Sequence, residues 1–269
     1  MTSFIDAAGV THMPADSDFR IVSLVPSLTE LLFDLGLDDA VVGRTAFCVH
    51  PNRRVRSAQS VGGTKTINFE KLKALAPTHI IVNIDETPRQ LAETLTKLNY
   101  EVVVTHPIEV ADNRSLYHLI GGLFGRTDEA QELCAQFDRA YERTVDAAMG
   151  TPERRVLYLI WKDPWMTVSR ETYISRTLAI INWHTEPAIT SERYPITLLN
   201  NQTLEDVDLV LFSSEPFPFK KQHLNQFRHD FPLHQTKARL VDGQMLSWYG
   251  SRAIKALDYL RSLLVSHDL

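Results

Sequence analysis

Cys48 and His50 stand two residues apart in the stretch FCVHP. A thiol and an imidazole at that spacing in a loop can turn toward one cavity. With a third ligand from elsewhere, such as His184, they can hold zinc or copper; alone, either can act as nucleophile, base or metal ligand. Three other stretches each set an aromatic residue beside a basic one: WKDPWMTVSR (161–170), ERYPIT (192–197) and SWYGSR (247–252). Rings and cations in strand ends and loops suit the wall of a cleft that takes a large, partly flat, partly anionic ligand. Each ring taken singly reads first as a core residue. SSEPFPFKK (213–221) is a fourth loop of this kind, with Phe217 and Phe219 held extended by prolines.

Several familiar chemistries are excluded. VGGTKT (61–66) is not a phosphate loop, because Thr64 separates Gly63 from Lys65 and Ala58 stands where the first glycine belongs. It reads instead as a flexible loop with Lys65 at its tip. There is no HExxH, GxSxG or CxxC. His223, His229 and His234 are spaced six and five apart, which does not stack them on one helical face. No intrinsic cofactor is expected.

The elements that must carry these residues follow from hydrophobic pattern. RIVSLVPSLTELLFDLG (20–36) reads as a doubly covered strand, a turn at Pro26 and a helix, with Ser27 and Glu30 as a capping box and Gly36 as the stop. Strands at 40–45, 78–83 and 100–106 alternate with helices at 68–76 and 87–99, which is the pattern of a parallel α/β lobe. A long helical stretch covers 112–149, with the glycines of GGLFGRTDEA (121–130) and Thr127 as a candidate break and restart. A second series follows: strands at 155–161, 207–214 and 238–243, helices at 171–183, 220–228 and 251–264. NFEKLKALAPTHIIV and NNQTLEDVDLVLF echo one another across the two halves. The fold class expected is α/β: two parallel-sheet lobes, 1–111 and 151–269, joined by a single long backbone helix over 112–150, with a ligand cleft between the lobes.

The chain has 269 residues and a formal net charge of −5, with 44% hydrophobic and 23% charged residues. That is an ordinary globular composition, and its charge argues against a nucleic-acid partner. No apolar run reaches membrane-spanning length. Cys48 and Cys134 lie far apart and do not make a disulfide framework. The N-terminus lacks the basic and apolar regions of a secretory signal, so a native start at Met1 implies the cytoplasm and a trimmed signal peptide implies the periplasm.

RIVSLVPSLTELLFDLG, VVGRTAFCVHP and VGGTKTINFEKLKALAPTHIIV, followed in order by YPIT, DLVLF and SWYGSR, resemble the cobalamin and ferric-siderophore solute-binding proteins of bacterial ABC importers, the helical-backbone metal-receptor superfamily. The resemblance implies a binding protein rather than an enzyme, with a metal chelate held in the interlobe cleft for ABC-type uptake. It assigns Phe47 and Tyr194 to the ligand wall, with PWMTV (164–168) as another ligand-facing segment. Ser251 and Arg252 match a Ser-Pro-Arg motif without its proline, and Glu70 matches a glutamate that docks on a permease. At the second docking position the alignment places Asn200 instead of glutamate, which weakens the permease partnership. Thr64 and Asn83 stand where cobalamin binders carry tryptophans. The ligand-binding set expected is therefore Phe47, Trp165, Tyr194 and Trp248 for stacking, and Lys65, Arg170 and Arg252 for ligand anions, in a monomer. The alternative is a leaderless cytoplasmic relative that acts as a small enzyme or bare-metal binder through Cys48 and His50.

Overall fold

The computed structural model describes residues 2–265; Met1, on which the expectation about compartment turns, lies outside the described residues. The chain divides into two compact units. The first holds the chain as far as Pro107, then Ala111–Asp138 and Tyr249–Arg252. The second holds Ile108–Val110, Arg139–Trp248 and the chain from Ala253 on.

The first unit opens with a hairpin of β1 (Phe4–Ile5) and β2 (Thr11–His12). Its turn is organised by Asp6, whose carboxylate accepts the N–H groups of Ala8, Val10 and Val104. Then come β3 (Ile21–Ser23), α1 (Pro26–Asp34), β4 (Val41–Arg44), β5 (Gln59–Ser60), α2 (Phe69–Ala74), β6 (His79–Asn83), α3 (Arg89–Lys97) and β7 (Glu101–Thr105). The five strands from β3 to β7 form one parallel sheet in the order β5-β4-β3-β6-β7. Every residue of β3 and β6 is buried, as a strand covered on both faces requires. Val22, Leu24, Ile80, Val82, Leu72 and Leu95 meet in its core.

The stretch read as one backbone helix over 112–150 is two helices, α4 (Asn113–Leu123) and α5 (Thr127–Ala148). The break is chemical: Gly125 sits at φ +64°, a left-handed conformation that ends a helix at little steric cost. α5 is not a separate body either. Its residues up to Asp138 belong to the first unit and those from Arg139 to the second.

The second unit continues with β8 (Arg154–Leu159), α6 (Tyr173–Ala179), β9 (Trp183–Thr185), α7 (Asn201–Glu205), β10 (Leu209–Ser213), α8 (Lys221–Asp230), β11 (Ala238–Val241), α9 (Gly243–Ser247) and α10 (Arg252–Val265). Its four strands are parallel in the order β11-β10-β8-β9. Leu157, Leu159, Val210, Phe212, Leu224 and Phe227 form its core. No described helix is long and apolar enough to cross a membrane.

The internal echo has a structural basis. Asn68 and Asn200 are both N-caps, accepting from Lys71 N and Thr203 N at 2.9 Å each. Before the next strand, the Thr78 hydroxyl and the Asp208 carboxylate accept the N–H of Arg20 and Arg155. Each unit thus contains a similar segment, a capped helix leading into a strand.

Candidate functional site

In both sheets the strand order reverses at the first strand: beside β3 and β6 in the first unit, beside β8 and β10 in the second. Open parallel sheets bind ligands outside the carboxyl ends of strands at such a point, where loops diverge to opposite faces. The residues that leave those strand ends are therefore the candidates for meeting a ligand.

At the carboxyl end of β3, α1 starts without a side-chain cap, and Val25 rather than Ser27 occupies the cap position. Glu30 does not close a capping box. Its carboxylate is held by the Arg252 guanidinium, with Nε and Nη2 donating at 2.7 and 2.9 Å, and both side chains are buried. Around this pair, Tyr117 Oη donates to the Gly250 carbonyl, Gly250 N–H donates to Asn113 Oδ1, and Tyr249 Oη donates to Glu86 Oε1. Burial, then the adjacent Glu86 carboxylate, pushes the Tyr249 hydroxyl well above its ordinary pKa. Arg252 is thus a structural cation, not one placed for ligand anions: a buried carboxylate needs a charge-assisted partner, and Glu30 takes it.

The same segment serves the second unit through Ser247 and Trp248. Trp248 Nε1 donates to Glu215 Oε1 at 2.6 Å and the Ser247 hydroxyl donates to the same oxygen at 3.0 Å. Trp248 is only 8% exposed, so its ring is core and not a stacking surface. Burial raises the pKa of Glu215, against the lowering effect of these two donors.

Trp165 is half-buried and packs against the second core. It stacks on Phe219 at 6.0 Å with 8° between planes and meets Phe212 edge-on. Arg170 is spent internally: Nε donates to the Thr185 carbonyl and Nη2 reaches Glu186 Oε1, which also takes Arg155. Phe219 is buried, whereas Phe217 is half-buried and backs the ring of Trp161 at 5.7 Å.

Cys48 lies in the core. It is fully buried, with the Thr29 and Thr45 hydroxyls 3.0 and 3.1 Å from its sulfur. Burial pushes its thiol up, so it is neither an activated nucleophile nor an accessible ligand. His50 is half-buried in the same loop. Among the described residues no three His, Cys, Asp or Glu side chains are grouped to hold a metal ion. His234 is buried. Asn83 ties down its own strand end: its Oδ1 accepts Asp85 N–H and its amide donates to Thr105 Oγ1.

What remains outward is a smaller set. In the first unit Phe47 is 62% exposed, its ring beside Gly63 of the loop whose tip is the exposed Lys65. In the second, Trp161 leaves the end of β8 and is 41% exposed, and Tyr194, Ile196 and Leu198 line an exposed edge. A short irregular ribbon holds them: Met166 bridges both Trp161 and Ile196, and Thr197 N–H donates to the Trp165 carbonyl. Trp161 is the residue that sequence reading leaves out of the ligand set. It stands in the same motif as Trp165, but only the fold decides which indole turns to the core.

Glu70 is exposed in the first turn of α2, two residues after the Asn68 cap. Counted from the Asn200 cap, its counterpart is the exposed Gln202 and not Asn200, whose side chain is engaged by Thr203. The position equivalent to Glu70, which the alignment put at Asn200, is therefore two residues further on, because the two caps set the register.

Comparison with known proteins agrees with this fold. A family model described as periplasmic binding protein matches residues 21–238. The vitamin B12-binding protein of Yersinia pestis (strain Pestoides F) is 23% identical over 168 residues, which are 62% of this chain and 60% of that protein. The chain therefore aligns with less than two thirds of that relative's length. Among solved structures, the periplasmic vitamin B12 binding protein BtuF of Vibrio cholerae superposes with a TM-score of 0.80 at 17% identity, covering 91% of this chain and 96% of that one. The periplasmic haem-binding protein RhuT from Roseiflexus sp. RS-1 gives 0.77 at 21% identity, covering 91% and 97%.

Proposed function

Because the chain belongs to the periplasmic binding protein family, a family of binding proteins rather than enzymes, we propose that it is a solute-binding subunit for ABC-type import whose ligand is a flat metal chelate of corrinoid or haem class. The names of the B12-binding and haem-binding relatives support the ligand class, and the α/β fold shared with them supports the mode of binding. A ferric siderophore is the other chelate this reading admits. The observations that carry it are Phe47 in the first unit and Trp161 in the second, large rings each left exposed just past the carboxyl end of a strand of its own parallel sheet. Each exposed ring offers apolar area and a π-face to a planar guest; Lys65 is exposed in the loop of Gly63, which lies beside Phe47, and Tyr194 is exposed in the second unit. The ligand leaves chemically unchanged, since the one buried thiol is walled off.

Residence in the periplasm and docking on a permease through Glu70 belong to the same proposal. The neutral Gln202 at the matching position leaves one acidic contact where two are expected.

Titration with aquocobalamin, haemin and a ferric siderophore, followed by calorimetry and Trp fluorescence, tests the reading. One of the three should bind at 1:1 stoichiometry. Phe47→Ala and Trp161→Ala should each weaken it by about 1 kcal/mol or more, the scale of a lost aromatic contact plus its buried area. No binding by any of the three, or binding indifferent to both substitutions, overturns it.

A further inference from the structure

The second unit holds a smaller cavity that the ligand surface does not use. It measures about 230 Å³ and runs along one face of α8, formed by His223, Gln226, Phe227 and Asp230 at helical spacing. Trp165, Leu199 and Phe231 close it. At that volume it is too small for a corrinoid or haem and falls below the range of about 300–1,000 Å³ typical of drug-sized ligands.

Its polar groups are sorted by sign. At one end stands Lys162, whose Nζ lies 5.8 Å above the Trp165 ring. Beside it, His223 Nδ1 accepts the Lys220 N–H at 2.9 Å, which leaves Nε2 as the protonated, donating nitrogen. Burial, then the charges of Lys162 and Lys220, lowers the His223 pKa, so the ring stays neutral and keeps that tautomer at neutral pH. At the other end is Asp230, steadied by the Gln226 amide at 2.8 and 2.9 Å. Seven residues of helix separate His223 from Asp230, about 10 Å along the axis. Between the ends the walls are Trp165, Phe227, Phe231 and Leu199.

We propose that this cavity is a second ligand site, for a small aryl carboxylate bearing a para hydrogen-bond donor. The carboxylate meets the Lys162 ammonium and the His223 N–H, the ring lies against Trp165 and Phe231, and the para hydroxyl donates to Asp230. No bond is made or broken.

The test uses the full chain with 4-hydroxybenzoate as probe and benzoate as comparison, read by calorimetry and by Trp fluorescence. The result expected is saturable 1:1 binding that Lys162→Met weakens at least about tenfold, with melting temperature unchanged. Benzoate should bind more weakly, and Asp230→Asn, an exposed position that keeps the fold, should narrow the difference between the two acids. Absence of saturation up to about 10 mM overturns the site, as does binding that Lys162→Met leaves unaltered. Binding lost in the Phe47→Ala variant also overturns it, because the acid then occupies the exposed surface of the first unit. Failure of chelate binding alone leaves this site standing, so the two readings fail separately.

Discussion

Arg252 and Glu30 are 222 residues apart in sequence and form a buried two-point ion pair at 2.7 and 2.9 Å. The planar guanidinium matches the carboxylate, and both side chains are buried. Removing one partner leaves the other buried and uncompensated. Arg252→Met should lower the unfolding free energy by about 3–5 kcal/mol, and adding Glu30→Leu should return much of that loss. Urea denaturation of the two single variants and the double variant measures the coupling. An Arg252→Met protein with unchanged urea midpoint but weaker chelate binding would return Arg252 to the ligand.

This pair also shows where sequence reading stops. The strands IVS, HIIVN and LVLFS were legible because a strand covered on both faces must be apolar throughout. The caps Asn68 and Asn200 left an echo between the halves, but aligning the apolar runs put Asn200 level with Glu70, and only the cap geometry restores the register. β1, β5, β9 and α9 are short and lack a continuous buried apolar run, so no period marks them in the sequence. The site was legible in type and not in assignment. That SWYGSR carries a ring and a cation is plain, but their partners Glu215, Glu86 and Glu30 are brought in by topology. A cation already spent on a buried carboxylate looks the same in sequence as one that faces a ligand.

The two cysteines should differ sharply in reactivity. Cys48 is fully buried between two threonine hydroxyls, while Cys134 is half-buried on α5, with His118 Nε2 3.5 Å from its sulfur. Burial raises both thiols, so each reacts slowly at neutral pH, and access decides the order. A disulfide reagent should modify Cys134 in the native protein and Cys48 only after unfolding, with mass spectrometry assigning the sites. Fast native labelling of Cys48, or zinc or copper retained through Cys48 and His50, would restore the enzyme or metal reading.

Glu215 should tie stability to pH. Its folded pKa is raised, chiefly by burial, so the native state holds this proton at pH values where the unfolded chain has released it. Stability from this group is present below the ordinary glutamate range and falls as pH rises through the raised folded value. Glu215→Gln keeps an acceptor for Trp248 and Ser247 and has no proton to lose. Unfolding curves at a series of pH values from about 4 upward should show a decline in the native protein that the variant lacks. Parallel curves for the two proteins would mean that Glu215 ionises normally.

The N-terminal hairpin is seated on a glycine. A Cβ added at Gly122 of α4 would lie 2.3 Å from two atoms of the Phe4 ring, a distance at which something must shift. Elsewhere the hairpin is pinned to β7: Ala7 N–H donates to the Val104 carbonyl, and His12 lies between Asp6 and Glu101 at 3.1 and 2.6 Å. The ring cannot retreat without loosening those bonds. Gly122→Ala should therefore cost about 1–3 kcal/mol as overpacking, and amide exchange at residues 4–12 should accelerate. Phe4→Ala removes the clash, so the double variant should be more stable than the sum of the single losses predicts. Strict additivity in that cycle would mean that Phe4 does not occupy the groove over Gly122.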